Sequence, residues 1–192
     1  MEENELISKI KAGDQRAFRV FVESHQQQVF NTCVGFLHHE ADAEDVAQEV
    51  FIEVHRNIDR FKGDSKLSTW LYRIAVNKSL DFMRKKKRQK RWGFFQAVFG
   101  FDQIPEPAET SKGMLPGITT DDQDRGRVLF QAIDSLSENQ RIAFTLHKLE
   151  GLSYQEVTEV MGLSLSSVES LMHRAKKNLQ KKLANYYKKT LK

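Results

Sequence analysis

Between Ala41 and Arg88 an acidic helical pattern, a short polar break and a basic helical pattern follow one another without a gap. Ala43, Val46, Ala47, Val50, Val54 and Ile58 recur every three or four residues, which is the spacing of one buried face of an α-helix. Asp42, Asp45, Glu49 and Glu53 fall on much of the opposite face, with Gln48 and an out-of-place Ile52 beside them. Phe61 to Lys66 is the polar break. Ser68 or Thr69 is then placed to cap a helix running from Trp70 into Arg84–Arg91, where seven of eight residues are basic. An acidic face suits a protein partner or plain solvent. A basic face carrying aromatic residues suits a polyanion.

The same periodicity continues outside this stretch. Leu6, Ile7 and Ile10 precede a break at Gly13-Asp14, and Phe18 to Leu37 then repeats at helical spacing to about His38. Asp42 and Glu44 stand in the first turn of the next helix, where they favour the helix dipole. Helical patterning resumes near Val128 and recurs to about Leu183. No alternation of the strand type appears. The fold class expected is all-α, with two small helical domains at residues 1–92 and 128–192.

Residues 93–127 are expected to form a flexible acidic linker, because all three prolines (Pro105, Pro107 and Pro116) fall there and no periodicity does. Charge follows the same division. Lys and Arg exceed Asp and Glu by three in 1–92, fall short by three in 93–127, and exceed them by four in 128–192. Two basic segments flanking an acidic one favour polyanion binding at both ends. Trp92 to Phe101 is unusual within the linker, with five aromatic residues in ten, and packing against the domains or a regulator is its expected use.

Cys33 is the lone cysteine, so an internal disulfide is excluded and a reducing, cytoplasmic compartment is expected. Its apolar surroundings suggest a buried thiol. The N-terminus lacks a secretory layout, and no apolar run approaches the roughly 20 residues of a membrane-spanning helix. The six histidines show no metal-ligand spacing, and His38-His39 is expected at a solvated helix end. No catalytic set, metal or cofactor is expected.

Tyr154 to Leu171 carries the second signal. Val157, Met161, Leu163, Val168 and Leu171 are apolar and Gly162 falls at the break, the pattern of two short helices crossing steeply. Such a helix-turn-helix lays its second helix in a DNA major groove, although a packed helical hairpin has the same pattern. Val168, Met172, Ala175 and Leu179 can face the core of the second helix, leaving Ser167, Glu169, Ser170, His173, Arg174 and Lys177 outward. In the first domain Arg73, Asn77, Arg84 and Arg88 fall near one stripe, with Trp70 at its edge. Cations hold phosphates, Asn reads base edges and exposed aromatics stack on unpaired bases. Trp70 alone fits a core position better.

Taken together, these residues resemble an extracytoplasmic-function (ECF) sigma factor of the bacterial sigma-70 family. DAEDVAQEVFIEV resembles the polymerase-docking helix, FKGDSKLSTWLYRIAVNKSLDFMRKKKR the −10 melting and reading segment, and LSENQRIAFTLHKLEGLSYQEVTEVMGLSLSSVESLMHRAKKNL the −35 reading domain. The resemblance implies that Asp45, Gln48, Glu49 and Ile52 meet the β′ clamp helices of core RNA polymerase, with the β flap as a further contact. It implies that Gly63, Asp64, Ser65, Lys66 and Leu67 capture a flipped base of the −10 element, helped by Trp70, Arg73, Asn77, Arg84 and Arg88. Ser166, Ser167, Glu169, Ser170, His173, Arg174 and Lys177 would meet the −35 element. Promoter DNA and an anti-sigma factor are the other partners it implies, with no direct membrane insertion and no enzymatic activity.

Three positions depart from the family pattern. Thr158 replaces a usual Ala at the tight helix contact, and Glu169 and Leu171 occupy places that are often basic. Three other readings stay open: a stand-alone helix-turn-helix regulator, a nucleic-acid-processing enzyme and a protein-only adaptor. The first leaves the acidic helix without a role, and the second lacks a second carboxylate set. The third would show no salt-dependent DNA binding.

Overall fold

A computed structural model describes residues 3–98 and 120–190. Among these residues there are eight α-helices and no strand: α1 Glu3–Lys11, α2 Gln15–Leu37, α3 Glu40–Asn57, α4 Leu67–Val98, α5 Thr120–Asp134, α6 Glu138–Lys148, α7 Tyr154–Met161 and α8 Leu165–Thr190. A single 3-10 turn, Ile58–Arg60, follows α3. The chain divides into two compact units. One holds α1 to α3 with α4 from Ile74 onward, and the other groups Ser65–Arg73 with α5 to α8.

In the first unit the apolar periodicity of α2 and α3 becomes a buried seam. Phe21, Val29, Cys33 and Phe36 of α2 are buried, as are Ala43, Val46, Ala47, Val50 and Val54 of α3. Phe51 meets Phe21 edge-on at 6.2 Å between ring centres. Asp14 caps α2 by accepting from the N–H groups of Arg16 and Ala17, which satisfies donors that a helix start leaves open. Leu6, Ile7 and Ile10 of α1 are buried, and Lys11 donates to the Phe61 carbonyl at 2.6 Å, fixing the end of the 3-10 turn.

Three expectations need correction. His38-His39 is a half-buried junction and not a solvated end. His38 closes α2 in the left-handed region at φ 54°, and the Nδ1 of His39 accepts from the Asp42 N–H to open α3. Ser68 and Thr69 do not cap α4, which opens at Leu67 with the Trp70 N–H donating to the Lys66 carbonyl. The earlier start encloses Leu67, which is fully buried. The third concerns length: α4 runs on to Val98 and α5 begins at Thr120, so helix enters both ends of the expected linker. One glycine, Gly93, costs a helix about 1 kcal/mol, which the strong helix formers of 84–91 offset. The rest of the linker, including Phe99 to Phe101, lies outside the described residues.

In the second unit Ala132 and Ile133 of α5, with Leu136 just beyond its end, cluster with Ala175 and Leu179 of α8. Asn178 of α8 donates to the Gln140 side-chain oxygen of α6 at 3.0 Å. The α6–α7 turn is closed by His147, whose Nδ1 lies 2.7 Å from the Leu152 carbonyl, and it passes through Gly151 at φ 74°. Ser153 and Glu156 then form a reciprocal capping box at the start of α7.

Candidate protein and nucleic-acid interfaces

The acidic side of α3 is where the first unit departs from a plain solvated helix. Its inner face is core, so Asp45, Gln48, Glu49 and Ile52 are turned outward, and Ile52 remains 49% exposed. The carboxylates of this helix have different fates. Asp42 pairs with Lys86, and Glu53 pairs with Lys78 at 2.9 Å. The hydrogen bond from Lys78, then its charge, holds the Glu53 carboxyl below its ordinary range. Asp45 and Glu49, between those two, take no ion pair among the described residues.

The two bridges also fix how α3 and α4 run. The earlier residue of α3 meets the later residue of α4, so the helices are antiparallel, stapled at two levels. Between the staples lies a groove of about 680 Å³. Asp45, Gln48, Glu49 and Ile52 form one wall, and Lys78, Phe82, Lys85 and Arg88 lie on the other. All four expected docking residues therefore share one concavity. The α4 wall was not legible as part of it. Its only trace in the sequence is the i, i+4, i+7 spacing of Lys78, Phe82 and Lys85, which looks like any amphipathic helix.

The expected −10 residues divide differently. Gly63, Asp64 and Lys66 are exposed, with Gly63 at φ 79°, a backbone region in which side chains are strained. Ser65 and Trp70 are half-buried. Leu67 is buried outright and offers no surface to a base. Arg73, Asn77, Arg84 and Arg88 are all exposed along α4, and Arg84 pairs with Asp81 at 2.9 Å. Arg84 and Arg88 also line the groove described above.

In the second unit Val168, Met172, Ala175 and Leu179 are buried on α8. Ser166, Glu169, Ser170, His173, Arg174 and Lys177 are exposed, and Ser167 is half-buried. Leu171 is 9% exposed and belongs to the core, so the replacement of an often basic residue there leaves no side chain at the outer face. Gly162 ends α7 in the left-handed region at φ 64°, and its N–H donates to the Thr158 carbonyl. The Thr158 hydroxyl is satisfied by the Gln155 carbonyl at 2.6 Å, which lets it sit in the tight helix contact. Ser164 precedes α8, with its hydroxyl 2.8 Å from that of Ser167. A two-helix unit that turns at Gly162 and carries one polar, partly basic outer face is the kind that enters a major groove.

Comparison with known proteins decides the family. Residues 21–89 match Sigma-70 region 2, and residues 127–179 match Sigma-70, region 4. This chain belongs to the ECF class of sigma-70-family sigma factors. It is 33% identical over 190 residues to the RNA polymerase sigma-H factor of Pseudomonas aeruginosa, covering 95% of this chain and 94% of the relative. It is 32% identical over 183 residues to the ECF RNA polymerase sigma-E factor of Escherichia coli K12, covering 93% and 92%. The solved structure of CnrH in complex with the cytosolic domain of CnrY is similar at a TM-score of 0.65 and 25% identity, covering 94% of this chain and 96% of that one. The region 2 match takes in the α3–α4 groove and the exposed loop, and the region 4 match takes in the α7–α8 unit. No three His, Cys, Asp or Glu residues converge as a metal site among the described residues, and none of their helices is long and apolar enough to cross a membrane.

Proposed function

We propose that this chain is an alternative sigma factor that binds core RNA polymerase and brings it to promoters through −35 and −10 elements. The observation that carries the reading is the order of surfaces along one chain: an acidic groove wall on α3, an exposed loop and basic helix, then a helix-turn-helix. A stand-alone regulator has no use for the first of these.

Asp45, Gln48, Glu49 and Ile52 are the polymerase contacts. Two carboxylates with no ion pair among the described residues, beside an exposed aliphatic residue, suit a helix that presents cations next to an apolar position. Gly63 to Lys66, with Arg73 and Asn77, hold the exposed −10 strand. Unpairing costs a few kcal/mol per base and is offset by binding the extruded base, so no nucleotide hydrolysis is needed. On α8 Arg174 and Lys177 hold phosphates, while Glu169, positioned to accept from a cytosine amine, contributes to base choice. The protein acts in the cytoplasm, is not itself an enzyme, and is held in check by a protein antagonist, as a partner domain is seated on the similar CnrH.

The deciding experiment is run-off transcription with purified bacterial core polymerase and fragmented genomic DNA. Discrete transcripts are expected only when the protein is added, and none with the Asp45→Lys/Glu49→Lys variant, whose helical signal should be unaltered. Absence of transcripts together with salt-sensitive duplex binding by the protein alone would favour the stand-alone regulator.

A further inference from the structure

The groove between α3 and α4 is bipolar. Asp45 and Glu49 make one wall acidic, while Lys85 and Arg88 make the other basic, with Ile52 and Phe82 supplying apolar surface between them. The basic wall does not neutralise the acidic one. The cations that reach across are Lys78 and Lys86, and they go to Glu53 and Asp42 on either side of Asp45 and Glu49. Those two bridges tie the helices together at either end and leave two rows of opposite charge facing the same concavity.

We propose that the basic wall is part of the polymerase-docking surface. Its occupant is then a single amphipathic helix of the polymerase, with cations along one flank, carboxylates along the other and an apolar residue between. The proposal rests on the docking role given above to Asp45 and Glu49 and extends it across the groove to Phe82, Lys85 and Arg88. A uniformly basic helix would be repelled by Lys85 and Arg88, and a uniformly acidic one by Asp45 and Glu49. A nucleic-acid strand is disfavoured for the same reason, because its phosphates would pass beside Asp45, Glu49 and Asp81. Phe82 is half-buried and Lys86 stands 5.6 Å above its ring, which keeps the ring at the groove. Arg88 lies where the DNA-facing stripe and the groove wall meet on α4. Helical spacing assigns it to the stripe, and the groove assigns it to the partner helix.

The test uses the full-length chain and purified bacterial core polymerase, with affinity measured in the absence of DNA. Lys85→Glu/Arg88→Glu is expected to weaken core binding about tenfold, the size of effect given by reversing two charges at the edge of an interface. Phe82→Ala should weaken it as well, and the exposed double variant keeps the test valid if Phe82→Ala folds poorly. Core affinity indistinguishable from that of the unaltered protein, with loss only in promoter opening, would overturn the proposal and give Lys85 and Arg88 to DNA. Unchanged affinity in Asp45→Lys/Glu49→Lys would instead remove the docking assignment on which the proposal rests.

Discussion

Ser153 and Gly162 bracket α7 and decide how α8 is presented. The Ser153 hydroxyl accepts from the Glu156 N–H at 3.2 Å, and the Glu156 carboxylate accepts from the Ser153 N–H at 2.9 Å. The Ser153 backbone bond, then its hydroxyl bond, keeps the Glu156 carboxyl below its ordinary value of 4.5. A depressed carboxyl contributes stability that is present above its unfolded value and is lost as pH falls through its folded value. Ser153→Ala should therefore destabilise the second unit by about 1 kcal/mol at neutral pH. In urea titrations the gap from the unaltered protein should narrow once pH falls below 4.5. A gap that stays constant with pH would mean that the Ser153 hydroxyl does not donate to the Glu156 carboxylate, because the backbone bond from residue 153 survives the substitution. At Gly162 the constraint is backbone alone, because an added Cβ would meet open space but L side chains are strained at φ 64°.

At the scale of the helix the two units are held differently. The α2–α3 seam is long, with fully buried Phe21, Phe36, Val50 and Val54. The short α5 depends on a small cluster in which Ile133 is the largest fully buried residue. Ile133→Ala should cost about 2–5 kcal/mol, the range for an aliphatic side chain deleted from a packed site. Hydrogen exchange should accelerate in α5 to α8 and stay unchanged in α1 to α3. Uniform acceleration would show that the two units unfold together. The same scale explains which element boundaries were legible. The start of α2 is marked by Asp14 and the end of α7 by Gly162, both local signals. The start of α4 was misplaced because the burial of Leu67 outweighs the capping preference of Ser68 and Thr69. The junction between α2 and α3 was legible in position but not in its half-burial, because a histidine, an uncommon cap, replaces the usual Ser, Thr, Asp or Asn.

Over the whole molecule charge is the controlling property, with basic excess at both ends and an outer face of α8 that mixes Arg174 and Lys177 with Glu169. Each lost phosphate contact lowers the slope of log affinity against log salt by about 0.9 on duplex DNA. Lys177→Ala should therefore weaken binding to a promoter duplex evenly across sequences and reduce that slope by about one contact. An unaltered slope would place Lys177 away from the backbone.

Sequence alone determined the helical class, the inward faces of α3 and α8, the turn at Gly162 and the order of the acidic, basic and helix-turn-helix segments along the chain. Each of these follows from residues within a few positions of one another, where period and cap chemistry act locally. The tertiary structure decided which charges are spent inside the protein and which remain for a partner. Asp42, Asp45, Glu49 and Glu53 look alike along α3, yet only the antiparallel placement of α4 brings Lys86 to the first and Lys78 to the last. Coulomb attraction acts through distance in space, and the distance between helices is set by packing, which no local pattern records.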